Sequence, residues 1–250
     1  MSILWLTAAS FGSWFLSTLA GGGTPLLLIP VIGYCLGTAA IPPVLTIGML
    51  FGHPQRLVLY WQAINWRVTF WYLPGAIAGA GIGALIFSSI QLEWLPIFLA
   101  LILIFSTLTY SSGSKVRWAT VATWYFLPAG FIFAFISGLL GSAGPLLNPL
   151  YLNYGLKKEE LIGTKSANLL IVHLVKIITY SLAGALTPTY WGYGLILGLA
   201  ALPGNWLGHK ILKQVSEKRF RQLLVSFVLF SGMLILWQEI FSSLILSDQF

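Results

Sequence analysis

Several cationic or titratable side chains lie in or beside long apolar stretches of this chain. They are His53, Arg56, Lys165, His173 and Lys176. The acidic residues, in contrast, all lie near the ends of such stretches or in loops. They are Glu93, Glu159, Glu160, Glu217, Glu239 and Asp248. A lysine or arginine at the centre of a membrane helix costs at least about 2.5 kcal/mol and usually marks a functional site. A cavity that is lined by positive charge without a carboxylate selects an anion.

Two glycine-rich segments interrupt the apolar sequence. The first break, residues 19–25, reads LAGGGTP, and the second break, residues 140–145, reads LGSAGP. A GGGTP segment would destabilise a helix interior by several kcal/mol, at roughly 1 per glycine and 3 per proline. Where a helix restarts after a break, free amides and the positive end of the helix dipole suit anionic oxygens. The breaks therefore predict a binding site near mid-membrane. The alternative is that the glycines serve helix packing.

Hydroxyl and amide side chains near the breaks would add neutral donors to the cations. The predicted substrate-binding residues are Gly21, Gly22, Gly23, Thr24, Arg56, Gly141, Ser142, Gly144, Asn148, Thr164, Lys165, Ser166 and Asn168. His53 and His173 are assigned a separate role, because histidine titrates near neutral pH and could couple proton movement to transport. The alternative for each histidine is an ordinary hydrogen-bonding residue.

The two strongest cation candidates each have a structural alternative. Lys165 follows the hydroxyl of Thr164, which is expected at a helix start, but it could instead extend to the membrane interface beside Lys157 and Lys158. Arg56 is either a second anion contact or a structural partner for a helix end. Both interpretations stay open for each residue.

The composition requires a membrane. Of 250 residues, 58% are hydrophobic and 8% are charged, and the mean hydropathy is +0.88, which leaves too little polar surface for a soluble globule. The single cysteine, Cys35, excludes an internal disulfide and is expected to be a packing residue. The net charge of +7 is dispersed between loops and helix ends, so no nucleic-acid partner is expected.

The sequence contains none of the common catalytic motifs. Gly-x-Ser-x-Gly, His-Glu-x-x-His and Walker-type sequences are missing, so neither an enzyme nor a bound metal or cofactor is expected. Without a phosphate loop the protein would not hydrolyse ATP, which leaves secondary or channel-like transport. Residues 1–20 lack the basic start of a signal peptide and are interpreted as a retained helix.

The apolar pattern predicts an all-α polytopic membrane protein, with one integral membrane domain over residues 1–250. About eight spans are expected. They are 2–20, 39–64, 68–90, 94–110, 120–140, 161–186, 190–208 and 223–246. The segments 25–36 and 145–156 are too short to cross and carry prolines, so they are predicted to be broken or re-entrant.

Two homologous halves are expected, over residues 1–112 and 118–250. Residues 42–49 align with 158–164, which pairs Met49 with Thr164, and the small residues of 79–83 align with 204–208. The small-residue stretches are interpreted as packing surfaces. Whether the halves are parallel or inverted stays open.

Charge and tryptophan positions predict the orientation. The loop 209–221 carries five basic residues and should face the cytoplasm, together with Lys157 and Lys158. Most tryptophans are interpreted as interfacial anchors near span ends. They are Trp5, Trp14, Trp61, Trp66, Trp71, Trp94, Trp118, Trp124 and Trp191. Trp206 either packs or lines a cavity.

Taken together, these motifs resemble the sulfite exporter TauE/SafE family, also called TSUP. The resemblance rests on residues 17–23 with Pro30, residues 141–145 with Pro149, residues 163–166, and the stretches 204–208 and 216–221. It implies a permease for sulfite, sulfoacetate or related organosulfonates in a bacterial-type inner membrane. The family's glycine-rich elements then fall on Gly21, Gly22, Gly23, Gly141 and Gly144, and its helix-start threonine falls on Thr164.

The sequence therefore predicts a secondary transporter of a small anion, with the anion and the lipid bilayer as partners. A homo-oligomer is compatible with the sequence. A carrier of cations or neutral solutes would need a buried carboxylate, and no span offers one. The alternative from another class is a membrane-embedded assembly factor or enzyme that handles a lipid or cofactor.

Overall fold

A computed structural model describes residues 2–89 and 121–220, together with positions 222, 223, 226, 229, 230, 233 and 237. All regular elements among these residues are helical. The predicted span 94–110 and most of the span 223–246 lie outside the described residues. The same is true of Glu93, Glu239 and Asp248.

Eight α-helices are described between residues 2 and 212. They are α1 Ser2–Leu19, α2 Thr24–Leu36, α3 Ile41–Leu59, α4 Trp66–Ser89, α5 Phe126–Leu140, α6 Asn148–Tyr154, α7 Lys158–Leu182 and α8 Pro188–Leu212. Six of them coincide with predicted spans, namely α1, α3, α4, α5, α7 and α8. The two remaining helices, α2 and α6, coincide with the short segments that follow the breaks.

Among the described residues, three helical stretches are long and apolar enough to cross a membrane. They are Trp66–Ser89, Thr123–Leu140 and Lys158–Leu182. The apolar stretches Ile3–Leu19 and Leu27–Leu36 are shorter. At a rise of 1.5 Å per residue, the 24 residues of α4 span about 36 Å, which exceeds a hydrocarbon core of about 30 Å. The protein is thus an all-helical membrane protein, as its composition predicts.

Glycine conformation explains why the apolar sequence breaks after α1. Gly21, Gly22 and Gly23 have φ angles of 69°, 126° and 103°, a left-handed run that other residues rarely adopt. Pro25 then occupies the first turn of α2, where its missing N–H is not needed. In the second break Gly141 has a φ of 87°. The chain changes direction at both breaks without any polar loop.

Helices from the two ends of the chain interleave. Helix α8 packs against α1 and α3, while α4 packs against α5 and α7, and α3 contacts α7. Helices α1 and α8 are also joined by a hydrogen bond from the Ser10 hydroxyl to the Leu197 carbonyl, at 2.7 Å. Neither end of the chain therefore buries its helices alone.

Small residues make this close packing possible. On α4, a Cβ atom at Gly75, Gly79 or Gly83 would collide with backbone carbonyls of α5. On α8, Gly204 and Gly208 lie in the same way against α1. The packing interpretation of these stretches is confirmed.

Trp206, within the small-residue stretch of α8, is half exposed. Its ring carries the Lys210 ammonium group 3.6 Å from the ring centroid. The residue does not line the cavity described below.

We expect Gly79→Ala to destabilise the protein and Gly81→Ala to leave it unchanged or more stable. The added Cβ at Gly79 would meet the Phe131 carbonyl, whereas at Gly81 it would meet only Val175 Cγ1 at 3.8 Å. Overpacking costs about 1–3 kcal/mol, and each kcal/mol lowers the melting temperature by about 2–4 °C. Thermal unfolding in detergent measures both variants. Equal melting temperatures would contradict the close α4–α5 contact.

Candidate functional site

A cavity, here called the central cavity, lies between the two breaks and the helices α3 and α7. Its lining residues are Gly21, Gly22, Gly23, Thr24, Pro25, Met49, His53, Arg56, Ser142, Ile162, Lys165, Ser166, Leu169 and His173. The space between these atoms is about 390 Å³ when the open mouth is counted. Part of this space belongs to the open mouth, so the enclosed room suits only a small solute.

Lys165 reaches the central cavity from α7 and is only 4% exposed. Its ammonium donates hydrogen bonds to the carbonyl of Gly21, at 3.0 Å, and to Oδ1 of Asn148, at 2.6 Å. A Cβ atom at Gly22 would collide with the same nitrogen, so only glycine leaves room for it. The alternative of a lysine extended to the membrane interface is wrong. Lys165 instead ties the first break to the segment that follows the second.

Arg56 on α3 is buried and joins three helices. Its Nε donates to Oδ1 of Asn205 on α8, at 2.6 Å, and its Nη2 lies 2.9 Å from both the Trp14 carbonyl and the Ser17 hydroxyl on α1. Asn205 in turn donates to the carbonyl of Gly52, at 3.1 Å. Arg56 therefore binds acceptors near the end of α1, as its structural interpretation predicts. It also lines the cavity. All these acceptors are neutral, so they leave its charge uncompensated.

The ring of Trp14 packs against both Arg56 and His53. The Arg56 guanidinium carbon lies 4.5 Å from the ring centroid, in a cation–π arrangement, and the His53 ring meets Trp14 edge-on at 5.3 Å. The tryptophan is fully buried, so its interpretation as an interfacial anchor is wrong. A Cβ atom at Gly52 would collide with the indole, which shows how α3 accommodates so large a ring.

His53 and His173 stack against each other in the wall of the central cavity. Their rings stack with centroids 5.5 Å apart and an interplanar angle of 18°, and both residues are buried. Neither ring nitrogen of His53 has a hydrogen-bond partner among the described residues, and the same holds for Nδ1 of His173. For His53 the structure gives no support to the hydrogen-bonding alternative.

Lys176 binds the second break in the way that Lys165 binds the first. Its ammonium donates to the Gly141 carbonyl at 2.6 Å and approaches the Ser137 hydroxyl at 3.4 Å. It is fully buried but does not line the cavity. The first glycine carbonyl of each break, at Gly21 and Gly141, thus accepts from a lysine of α7.

Four predicted binding residues do not line the central cavity. They are Gly141, Asn148, Thr164 and Asn168. The binding role of Gly144 stays a prediction. Asn148 acts through Lys165, as described above. The Thr164 hydroxyl accepts a hydrogen bond from the backbone N–H of Asn65, at 2.8 Å, and Asn168 donates to the Tyr151 hydroxyl, at 2.8 Å. These two side chains fasten α7 to its neighbours.

Thr164 also does not mark a helix start. Helix α7 begins at Lys158, with Glu159 and Glu160 in its first turn. The Glu160 carboxylate accepts from the backbone N–H of Lys157, at 2.9 Å, and so closes the helix start. Negative charge in the first turn interacts favourably with the positive end of the helix dipole. The helix therefore starts before Gly163, where the sequence suggested a helix start.

Eight of the predicted binding residues do line the central cavity, together with both histidines. The eight are Gly21, Gly22, Gly23, Thr24, Arg56, Ser142, Lys165 and Ser166. The apolar part of the wall was not predicted. It consists of Pro25, Met49, Ile162 and Leu169. Apolar residues carry no signal that separates a cavity wall from an ordinary helix contact.

Comparison with known families agrees with this architecture. A family model described as Sulfite exporter TauE/SafE matches residues 6–235. The chain belongs to the TauE/SafE family. The resemblance seen in its motifs is confirmed, and the TauE/SafE match includes both breaks and every residue of the central cavity. No curated protein and no solved structure matches the chain. Membership implies a membrane transporter of sulfur-related anions.

We expect Gly22→Ala to abolish anion binding and Gly37→Ala to retain it. Both glycines have positive φ angles, 126° and 86°, so both variants are strained by about 1–3 kcal/mol. At Gly22 the added Cβ would also displace the Lys165 ammonium, whereas at Gly37 nothing lies within 4 Å. The sulfite-induced rise in melting temperature measures binding. If both variants keep this rise, Lys165 does not need its present position.

Proposed function

We propose that this protein is a secondary transporter that carries sulfite or a small organosulfonate across a bacterial-type inner membrane, with the central cavity as its binding site. The observation that carries the proposal is the charge of the cavity wall. Arg56 and Lys165 both line it, and no carboxylate occurs among its described lining residues. An anion is the solute whose charge complements such a wall.

The energetic argument concerns the cost of burying charge. An ion moved out of water loses several kcal/mol of hydration that neutral hydrogen-bond acceptors recover only in part. Lys165 has a carbonyl and an amide oxygen as partners, and Arg56 has carbonyl, amide and hydroxyl oxygens. A bound anion would supply the missing opposite charge. Binding therefore gains electrostatic energy that a neutral solute cannot provide.

Neutral donors would complete the recognition of a compact oxyanion. Ser166 brings a hydroxyl group to the cavity wall, and Gly21 and Gly23 bring backbone amides, whereas the Thr24 hydroxyl donates to Ser17 at 2.6 Å. Three oxygens around one sulfur atom fit such a ring of donors. The small free volume favours sulfite and short sulfonates over larger organosulfonates.

We further propose that the two breaks belong to homologous halves in a register 120 residues apart. This register pairs several identical residues. They are Ser17 with Ser137, Gly21 with Gly141, Pro25 with Pro145, His53 with His173, and Tyr60 with Tyr180. It also pairs Arg56 with Lys176, whose side chains approach the paired serines Ser17 and Ser137 at 2.9 and 3.4 Å.

Three lining positions support the 120-residue register over the alignment of 42–49 with 158–164. The register pairs Gly22 with Ser142, Met49 with Leu169, and His53 with His173, and all six residues line the central cavity. The interleaved packing has the same symmetry, because α4 contacts α5 and α7 as α8 contacts α1 and α3. A pseudo-twofold axis would then pass between the stacked imidazoles.

The orientation is part of the proposal. The loop 209–221 would face the cytoplasm, because cytoplasmic loops carry an excess of lysine and arginine. Lys213, Lys218 and Arg219 are exposed, in keeping with a loop in water. Lys158 donates to the carbonyl of Val215 at 2.8 Å, so the start of α7 would lie on the same side.

We expect Lys165→Met to reduce sulfite uptake into proteoliposomes at least tenfold, a loss of about 1.4 kcal/mol or more. The variant removes one of two cations from the central cavity but keeps a long side chain. Lys213→Met is the matched control, because this lysine is exposed and lies outside the cavity. Equal uptake by the Lys165 variant and the wild type would contradict the site. An absence of sulfite and sulfonate uptake by the wild-type protein would contradict the function and favour an assembly factor or enzyme.

We expect Asn205→Asp to weaken sulfite binding by about tenfold or more and, since it loses the hydrogen bond to the Gly52 carbonyl, to lower the melting temperature. The aspartate would keep an oxygen next to Arg56 Nε, at the position that is now 2.6 Å away, and would neutralise the guanidinium. Asn205→Ala removes the acceptor without adding charge and serves as the control. Isothermal titration with sulfite measures both variants. If the aspartate variant binds as tightly as the wild type, the charge of Arg56 does not attract the substrate.

A further inference from the structure

The stacked histidines leave hydrogen-bonding capacity in the central cavity that the cations do not explain. Both nitrogens of His53 and Nδ1 of His173 are buried without a partner among the described residues. A buried polar atom without a partner costs about 1–3 kcal/mol. Both rings line the cavity. A ligand that satisfies these nitrogens must suit the protonation state of the two imidazoles.

The charged neighbours of the pair are all cations. Arg56 lies one turn along α3 from His53, Lys165 and Lys176 lie on α7 with His173, and α1 contributes the uncharged ring of Trp14. Helix α8 contributes the neutral side chain of Asn205, through Arg56. A positive imidazole would add repulsion to this group, so a neutral ring fits it best. A neutral imidazole has one N–H donor and one nitrogen lone pair that accepts.

A ligand that only accepts hydrogen bonds cannot satisfy such a ring. It can bind the N–H groups and the cations, but the imidazole lone pairs would stay unpaired. An oxyanion that carries a proton can do both, because its O–H donates to a lone pair while its other oxygens accept. Sites built to bind a substrate hydroxyl reject analogues that lack it, because the buried group is then left without a partner.

From this geometry we infer that the histidine pair selects an oxyanion that carries its own proton, so that hydrogen sulfite is bound in preference to the sulfite dianion and to sulfonates. The inference rests on the proposed function and deepens it, since it names the substrate form. His53 is the main acceptor, because both of its nitrogens lack partners, and His173 stacks against it. The bound anion donates its O–H and keeps its proton, so no covalent or redox step is involved.

Methanesulfonate is a suitable probe, because it has three S–O oxygens and one negative charge but no proton to donate. Binding of both anions to the purified protein is measured at one pH below and one pH above the second ionisation of sulfite. Below it, sulfite should bind at least about tenfold more tightly than methanesulfonate. Above it, this advantage should disappear, while the affinity for methanesulfonate stays constant.

His53→Phe tests the residue, because phenylalanine keeps a stacked ring but has no nitrogen. At the lower pH this variant should bind sulfite no better than methanesulfonate, and its retained methanesulfonate binding shows that it is folded. His209→Phe is the matched control. It changes the third histidine of the chain, which contacts Tyr60 outside the cavity and should leave the sulfite preference intact.

Two results would overturn the inference, and a third would overturn the proposed function instead. If wild-type protein binds methanesulfonate as tightly as sulfite at both pH values, the site does not recognise the proton of hydrogen sulfite. If His53→Phe keeps the wild-type preference, the proton is recognised elsewhere. If neither anion binds the wild type at any pH, the anion-transport function itself is wrong.

Discussion

The positive charge of Lys165 inside the apolar interior is the constraint on which the rest of the site depends. An ammonium group at this depth needs oxygen partners, and one of them is the carbonyl of Gly21. That carbonyl is free only because the left-handed glycines end α1 there. Asn148 supplies the second oxygen from the start of α6. One nitrogen atom thus joins α7 to the first break and to the segment after the second break.

The surrounding network preserves charge instead of neutralising it. Arg56 and Lys165 are oriented by carbonyl, hydroxyl and amide oxygens, which hold a cation in place without cancelling it. A carboxylate at the same positions would bind more strongly but would remove the attraction for an anion. Trp14 fulfils a similar role with the face of its ring. The protein therefore uses dipoles and an aromatic quadrupole to keep two cations available to a ligand.

The sequence predicted the polar features of the site well, because they are exceptional in apolar sequence. A run of glycines, a lysine and an arginine in a membrane segment have few structural explanations, so Gly22, Arg56 and Lys165 could be selected. Trp14 and Asn205 could not, because their roles depend on α1 and α8, which meet only in the folded protein. Thr164 was misassigned for a local reason. The glycine before it resembles a helix start, whereas the helix actually starts at Lys158, six residues before Thr164.

The contact between α1 and α8 has a consequence for how the protein is made. The Ser10 hydroxyl bonds to a carbonyl 187 residues further along the chain, and Thr18 contacts Asn205 across the same separation. At a synthesis rate of about 5–20 residues per second, α1 is made roughly 10–40 s before the part of α8 that it contacts. During that time its serines and threonines face lipid or transient neighbours. Helix α1 is thus inserted well before it can reach its final position.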